Sequence, residues 1–218
     1  MRVTLLGTGT SQGVPVIACD CIVCKSENPK DKRLRSSAMI EVDNQTLVID
    51  TGPDFRQQML RESVDKISAV LFTHYHKDHV AGLDDIRAFN YKWEEEMQVY
   101  CNKKTEFALR NEFPYIFSKD KYPGTPMVKI NSIVNDIFNI NGTDILPIEV
   151  EHFKMSVFGF RIKNFVYLTD VSAISDIEKD KMKNADLIVL DSLRKKKHIS
   201  HFNLEQALEL LQELNPKR

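Results

Sequence analysis

No run of this chain stays apolar for the roughly 20 residues a membrane-crossing helix requires, and neither sign of charge dominates it. Lysine and arginine number 30 against 31 aspartates and glutamates, a formal net charge of −1. The first absence argues against a helical membrane protein. The second argues against a general nucleic-acid binder, which carries a basic excess. Low-complexity segments, linkers and internal repeats are missing too, so residues 1–218 read as a single domain, long enough for a substantial core. Strand-like alternation starts at Arg2 and leaves no room for a signal peptide, which makes the cytoplasm the expected compartment. The Gly-rich stretch Gly7-Thr8-Gly9-Thr10-Ser11-Gln12-Gly13 lacks both the Lys-Ser/Thr ending of a Walker A loop and Rossmann spacing. Its glycines read as tight backbone turns beside a site.

What is present is a dense cluster of metal-ligand side chains. His74, His76, Asp78 and His79 fall within six residues, directly after the apolar, β-branched run Ile67–Phe72. That run predicts a buried strand, and the cluster then lies on the loop leaving its C-terminal end, where a sheet holds ligands rigidly. Imidazoles suit zinc, manganese or iron, and a carboxylate adds charge that favours a divalent cation. A satisfied core or surface role explains one histidine but not four ligand-type side chains at this spacing.

A second cluster is Cys19-Asp20-Cys21-Ile22-Val23-Cys24. Three of the four cysteines crowd together, and in a reducing compartment such a group binds metal more often than it forms disulfides. Three thiolates supply three of the four tetrahedral ligands of a structural zinc, with one more to come from elsewhere in the chain. The alternative is a set of free thiols.

Residues 38–42 and 46–50 alternate around Asp43-Asn44, a hairpin signal, and end on Asp50, a candidate for orienting a metal-bound histidine. Helices are expected at 55–61, from about 81 (with Asp84 and Asp85 near its start), at 103–117 and near 173–183. In the third of these, Phe107, Leu109, Phe113 and Phe117 read as core. Strands are expected at 98–101, 145–152, 156–162, 165–168 and 187–191, the second ending on His152 and the fourth running into Asp170. Asn203 and Gln206 form a capping-box pattern for the last helix, with Leu204, Ala207, Leu208 and Leu211 as its apolar face. All six histidines follow strands or lie on loops. The run Arg194–Lys197 beside them reads as a solvated basic face, although it would also attract an anionic ester.

The order of these motifs resembles that of the metallo-β-lactamase-fold hydrolases. Gly7–Pro15, the C-x-C-x-x-C insertion and the pair His198-x-x-His201 are most similar to the cyclic phosphodiesterases of the carbon–phosphorus lyase pathway, the PhnP-like subfamily. The resemblance implies an αββα sandwich of the α/β class with a zinc-knuckle insertion. It implies that His74, His76 and His152 hold one catalytic metal, that Asp78, His79 and His198 hold the other, and that Asp170 bridges them. It assigns Cys19, Cys21, Cys24 and His201 to a structural zinc. The residues alone require only one further ligand, and the choice between His198 and His201 rests on the resemblance. The implied activity is hydrolysis of a small, in some members cyclic, phosphodiester by a hydroxide held between two divalent metals, manganese, zinc or iron. Asp78 is then both ligand and catalytic group. Nucleic acid and membrane are not expected partners, and a homodimer is left open. No histidine lies between Asp170 and His198, where members that open a ribose cyclic phosphate carry one suited to act as acid. Same-fold alternatives are a tRNA 3′-end endonuclease, a thioester or lactone hydrolase, and a zinc-stabilised scaffold without turnover.

Overall fold

The N-terminal alternation forms β1 (Arg2–Gly7), and the predicted hairpin forms as β2 (Ser37–Val42) and β3 (Gln45–Ile49). Asp43 and Asn44 turn between them with φ of 47° and 60°, the left-handed pair that a two-residue turn needs to match the strand twist. The computed structural model describes residues 1–218. It divides into two compact units, Met1–Ser132 and Ile133–Arg218. No helix is long and apolar enough to cross a membrane.

The first unit continues through α1 (Phe55–Arg61), β4 (Ala69–Leu71), α2 (Lys77–Val80), a 3₁₀ turn at Leu83–Ile86 and α3 (Arg87–Trp93). It ends with β5 (Met97–Cys101), α4 (Lys103–Glu112), α5 (Pro114–Phe117) and β6 (Val128–Ser132). Its six strands lie in the order β1-β2-β3-β4-β5-β6, antiparallel up to β3 and parallel from there. The parallel centre explains the continuous apolar strand sequences. Leu47, Val48, Ile49, Ala69, Val70 and Leu71 are all fully buried, as strands covered on both faces must be.

The second unit contains β7 (Phe138–Ile140), β8 (Thr143–His152), β9 (Met155–Ile162), β10 (Phe165–Leu168), α6 (Asp176–Asp180), β11 (Leu187–Leu190) and α7 (Leu204–Leu214). Its sheet order is β11-β10-β9-β8-β7, with only the β10–β11 pair parallel. Ile148, Val150, Val166 and Leu168 pack with Ala207 and Leu210 of α7 in one apolar cluster.

Six expectations need correction. The strand before the histidine cluster narrows to Ala69–Leu71, and the helix expected at 173–183 is reduced to Asp176–Asp180. The helix expected at 103–117 breaks at Phe113 (φ −121°, ψ 56°), because Pro114 disfavours helical geometry in the residue before it. Phe107 is not core; it is 69% exposed, while Leu109 and Phe113 are buried. His79 is not on a loop but in the one-turn α2, and α7 buries Ala207, Leu210 and Leu214 while Leu204 and Leu208 are exposed.

The capping box of α7 is present, with Asn203 Oδ1 accepting from the Gln206 N–H at 3.0 Å and Gln206 Oε1 from the Asn203 N–H at 3.1 Å. Asn203→Ala is expected to destabilise the protein by about 1 kcal/mol, read as a lower urea midpoint at unchanged slope.

Candidate metal centre

In the first unit the site is built around Asp50, at the end of β3. Its residue is fully buried and has φ 63°, a left-handed conformation uncommon outside glycine, asparagine and aspartate. The turn directs its carboxylate at the segment leaving β4. Oδ1 accepts from the Thr73 N–H at 2.9 Å, and Oδ2 accepts from Thr73 Oγ1 at 2.8 Å and lies 2.7 Å from His79 Nδ1. The backbone locks the same pair of segments. Thr51 N–H donates to His79 O, and Gly82 N–H donates to Thr51 O, both at 2.8 Å. This close approach requires glycine. A Cβ on Gly52 would sit 2.1 Å from Asp78 O, and one on Gly82 would sit 2.2 Å from Gly52 O.

These bonds fix tautomers. With Thr73 Oγ1 donating to Asp50, the 3.0 Å contact between that oxygen and His74 Nδ1 requires His74 to carry its proton on Nδ1. His79 likewise donates from Nδ1 to Asp50. In both neutral rings the Nε2 lone pair then faces outward. His74 Nε2 lies 3.0 Å from His76 Nδ1, and His79 Nε2 lies 3.2 Å from Asp78 Oδ2. A lone pair opposite a carboxylate oxygen repels it unless a positive charge lies between or beside them. This donor set therefore fits divalent metals, in the carboxylate–histidine–metal arrangement by which a buried acid orients a ligand.

In the second unit, His152 ends β8 and places Nδ1 2.7 Å from Ser200 O, so that proton also sits on Nδ1. Its Nε2 is 3.7 Å from Asp170 Oδ2. Asp170 follows β10 with φ 57°, the same left-handed exit as Asp50, and Oδ1 accepts from Thr169 Oγ1 at 3.1 Å. His201 Nδ1 is 3.0 Å from Asp191 Oδ2 and 4.0 Å from Asp170 Oδ1. Asp170, Asp191 and His201 have ligand atoms within 4.8 Å of one another. His198 is differently placed. Its Nδ1 accepts from the Ser200 N–H at 3.3 Å, and burial followed by the charge of Arg194 lowers its pKa. Within this unit the structure thus brings His201, and not His198, against the aspartates. Asp191 is the residue that sequence reasoning missed. Its signal was that it follows β11 as Asp50 follows β3 and Asp170 follows β10.

The basic run lies on the surface, and Arg194 is turned back on its own loop, donating to the carbonyls of Lys196 and Lys197. The Sγ atoms of Cys19, Cys21 and Cys24 lie within 4.8 Å of one another. Cys21 Sγ accepts from the Cys24 N–H at 3.4 Å, and this bond, with the neighbouring thiols next, lowers its pKa to about 7. Three converging sulfurs, one biased toward thiolate, fit a zinc knuckle. The Gly-rich stretch is held by its backbone to residues 33–35, with Gly9 N–H on Leu34 O at 2.7 Å and Val14 N–H on Arg33 O at 2.8 Å.

Residues 45–218 match the family model described as a beta-lactamase superfamily domain. The chain belongs to the metallo-β-lactamase superfamily. Its fold class is accordingly the αββα one implied by the motifs, and the family match runs through both units. Within the superfamily the chain belongs with the PhnP family. A solved structure described as a new diphosphatase of that family matches at 37% identity and a TM-score of 0.92, over 99% of this chain and 83% of the other. The octanoyltransferase of Porphyromonas gingivalis is 39% identical over 221 residues, all of this chain but 44% of that protein. The chain spans 25–56% of the length of the curated relatives it matches. Human tRNase Z, short form, shares the fold at 18% identity and a TM-score of 0.72, over 100% of this chain and 90% of that one.

Asp50→Asn replaces one acceptor oxygen by a donor and breaks the tautomer arrangement. Divalent-metal affinity, measured by competition with a chromogenic chelator, is expected to fall by about 10–100-fold, with the far-ultraviolet dichroism spectrum unchanged.

Proposed function

We propose that this chain is a metal-dependent hydrolase of small phosphodiesters. The observation that carries the reading is the buried Asp50, which turns the Nε2 atoms of His74 and His79 toward His76 and Asp78. Kinship with a PhnP-family diphosphatase supports phosphorus as the centre attacked. The ligands proposed for two divalent metals are His74, His76, Asp78 and His79 from the first unit, and His152, Asp170 and His201 from the second. When bound, two such ions polarise phosphoryl oxygens and make a water acidic enough to attack near neutral pH.

The protein's own groups do the positioning. Asp50 holds His79 directly and His74 through Thr73, while Asp191 holds His201 and the Ser200 carbonyl holds His152. Asp78, part-exposed in the first turn of α2, is proposed as the group that takes a proton from the attacking water in addition to serving as a ligand. Cys19, Cys21 and Cys24 are proposed to hold a structural zinc. Because His201 is committed to Asp191, His198 is the proposed fourth ligand of that zinc, the reverse of the assignment the resemblance gives.

Two measurements test this. Elemental analysis of chelator-free protein is expected to give about three metals per chain, and Asp170→Asn to lower turnover of bis-(p-nitrophenyl) phosphate by about 100-fold or more. One zinc per chain and no turnover with added manganese would favour a scaffold. The histidine assignment has its own test. His201→Ala is expected to abolish turnover, while His198→Ala keeps most of it and lowers zinc content, and the opposite pattern restores the family assignment.

A further inference from the structure

Beside the histidine motif lies a cleft of about 660 Å³ contained wholly in the first unit. Its walls are Tyr75, which stands between two of the proposed ligands, and the α4 residues Lys103, Lys104, Phe107, Asn111 and Glu112. Two aromatic rings open to solvent here. Phe107 is 69% exposed and Tyr75 38%, a poor location for apolar surface unless something covers it. The cleft adjoins the reacting centre, since the Tyr75 ring packs edge to face on that of His76 with centroids 5.7 Å apart.

Its charge is positive. Glu112, the one acid in the lining, is paired with Lys77, and Glu106 on the same helix is paired with Arg110. Lys103 and Lys104 occupy the first turn of α4, where the helix dipole disfavours cations. A site with two aromatic faces, two lysines and an amide suits a planar base attached to phosphate. We propose that this cleft is the specificity subsite and that it takes the nucleoside part of a nucleotide-type phosphodiester. The base lies against Phe107 and Tyr75, and the lysines meet phosphate. The inference rests on the phosphodiesterase reading for the bond broken, but concerns only which group is held beside it.

The test is calorimetric titration of the full chain, as purified, with adenosine 5′-monophosphate and with ribose 5-phosphate, which differ by the base alone. The nucleotide is expected to bind about tenfold more tightly, and Phe107→Ala to remove that preference while leaving ribose 5-phosphate affinity unchanged. Lys103→Gln/Lys104→Gln is expected to weaken both ligands together. Because Phe107 is exposed, its truncation leaves the fold intact, which an unchanged melting temperature checks. Equal affinity of the two ligands for the unmodified protein, no binding of either, or a preference that survives Phe107→Ala overturns the proposal. Loss of the hydrolase reading looks different, because a chain that cleaves no phosphodiester yet keeps the base preference has the subsite without the reaction.

Discussion

A single buried carboxylate organises the histidine-bearing face of the first unit. Removing Asp50 from water costs several kcal/mol, and an acid so buried persists only when donors surround it. Here the donors are the Thr73 N–H, the Thr73 hydroxyl and the His79 ring, all within 2.9 Å. Each belongs to the segment that leaves β4, so satisfying the carboxylate and shaping the ligand loop are the same event. The left-handed conformation at Asp50 and the glycines at 52 and 82 follow from that requirement, since the turn must come within contact of the Asp78 and Gly52 carbonyls.

The second unit reaches the same end with different parts. Asp170 leaves its strand with a left-handed φ as Asp50 does, while the His201 and His152 rings are held by Asp191 and the Ser200 carbonyl. Asp50 is fully buried among protein donors, whereas Asp170 and Asp191 are both part-exposed. Asp50 and Asp170 share a backbone conformation and a strand-end position but differ in burial, so strand-end location alone does not assign a role to either.

How much was legible in the sequence depends on how local each signal is. The hairpin at Asp43-Asn44, α1 and the capping box of α7 rest on contacts between near neighbours, and the residues present admit few alternatives. The histidine cluster was legible for the same reason. Asp191 was not, because its partner lies ten residues along an irregular loop whose path no spacing encodes. Nor does spacing separate His198 from His201, because three residues of loop can turn either ring toward the aspartates. The helix at 103–117 failed on a single residue, where the effect of Pro114 on Phe113 outweighed a periodic pattern running through both.

Phe107 shows the reverse error. Grouping it with Leu109 as core ignores helix geometry, since residues two apart point about 200° away from each other. Leu109 is fully buried, so Phe107 has to face solvent, and 69% of it does. Sequence alone cannot say why an exposed position carries phenylalanine, because propensity and patterning both favour a polar residue there. The structure places it among Tyr75 of the histidine motif and the lysines from the first turn of the helix. Metal ligation is constrained by tautomer and distance, so it leaves little freedom to distinguish one phosphate ester from another. Discrimination must then come from surface that contacts the rest of the substrate, and the exposed face of α4 is where this chain places aromatic and cationic groups together beside its histidine motif.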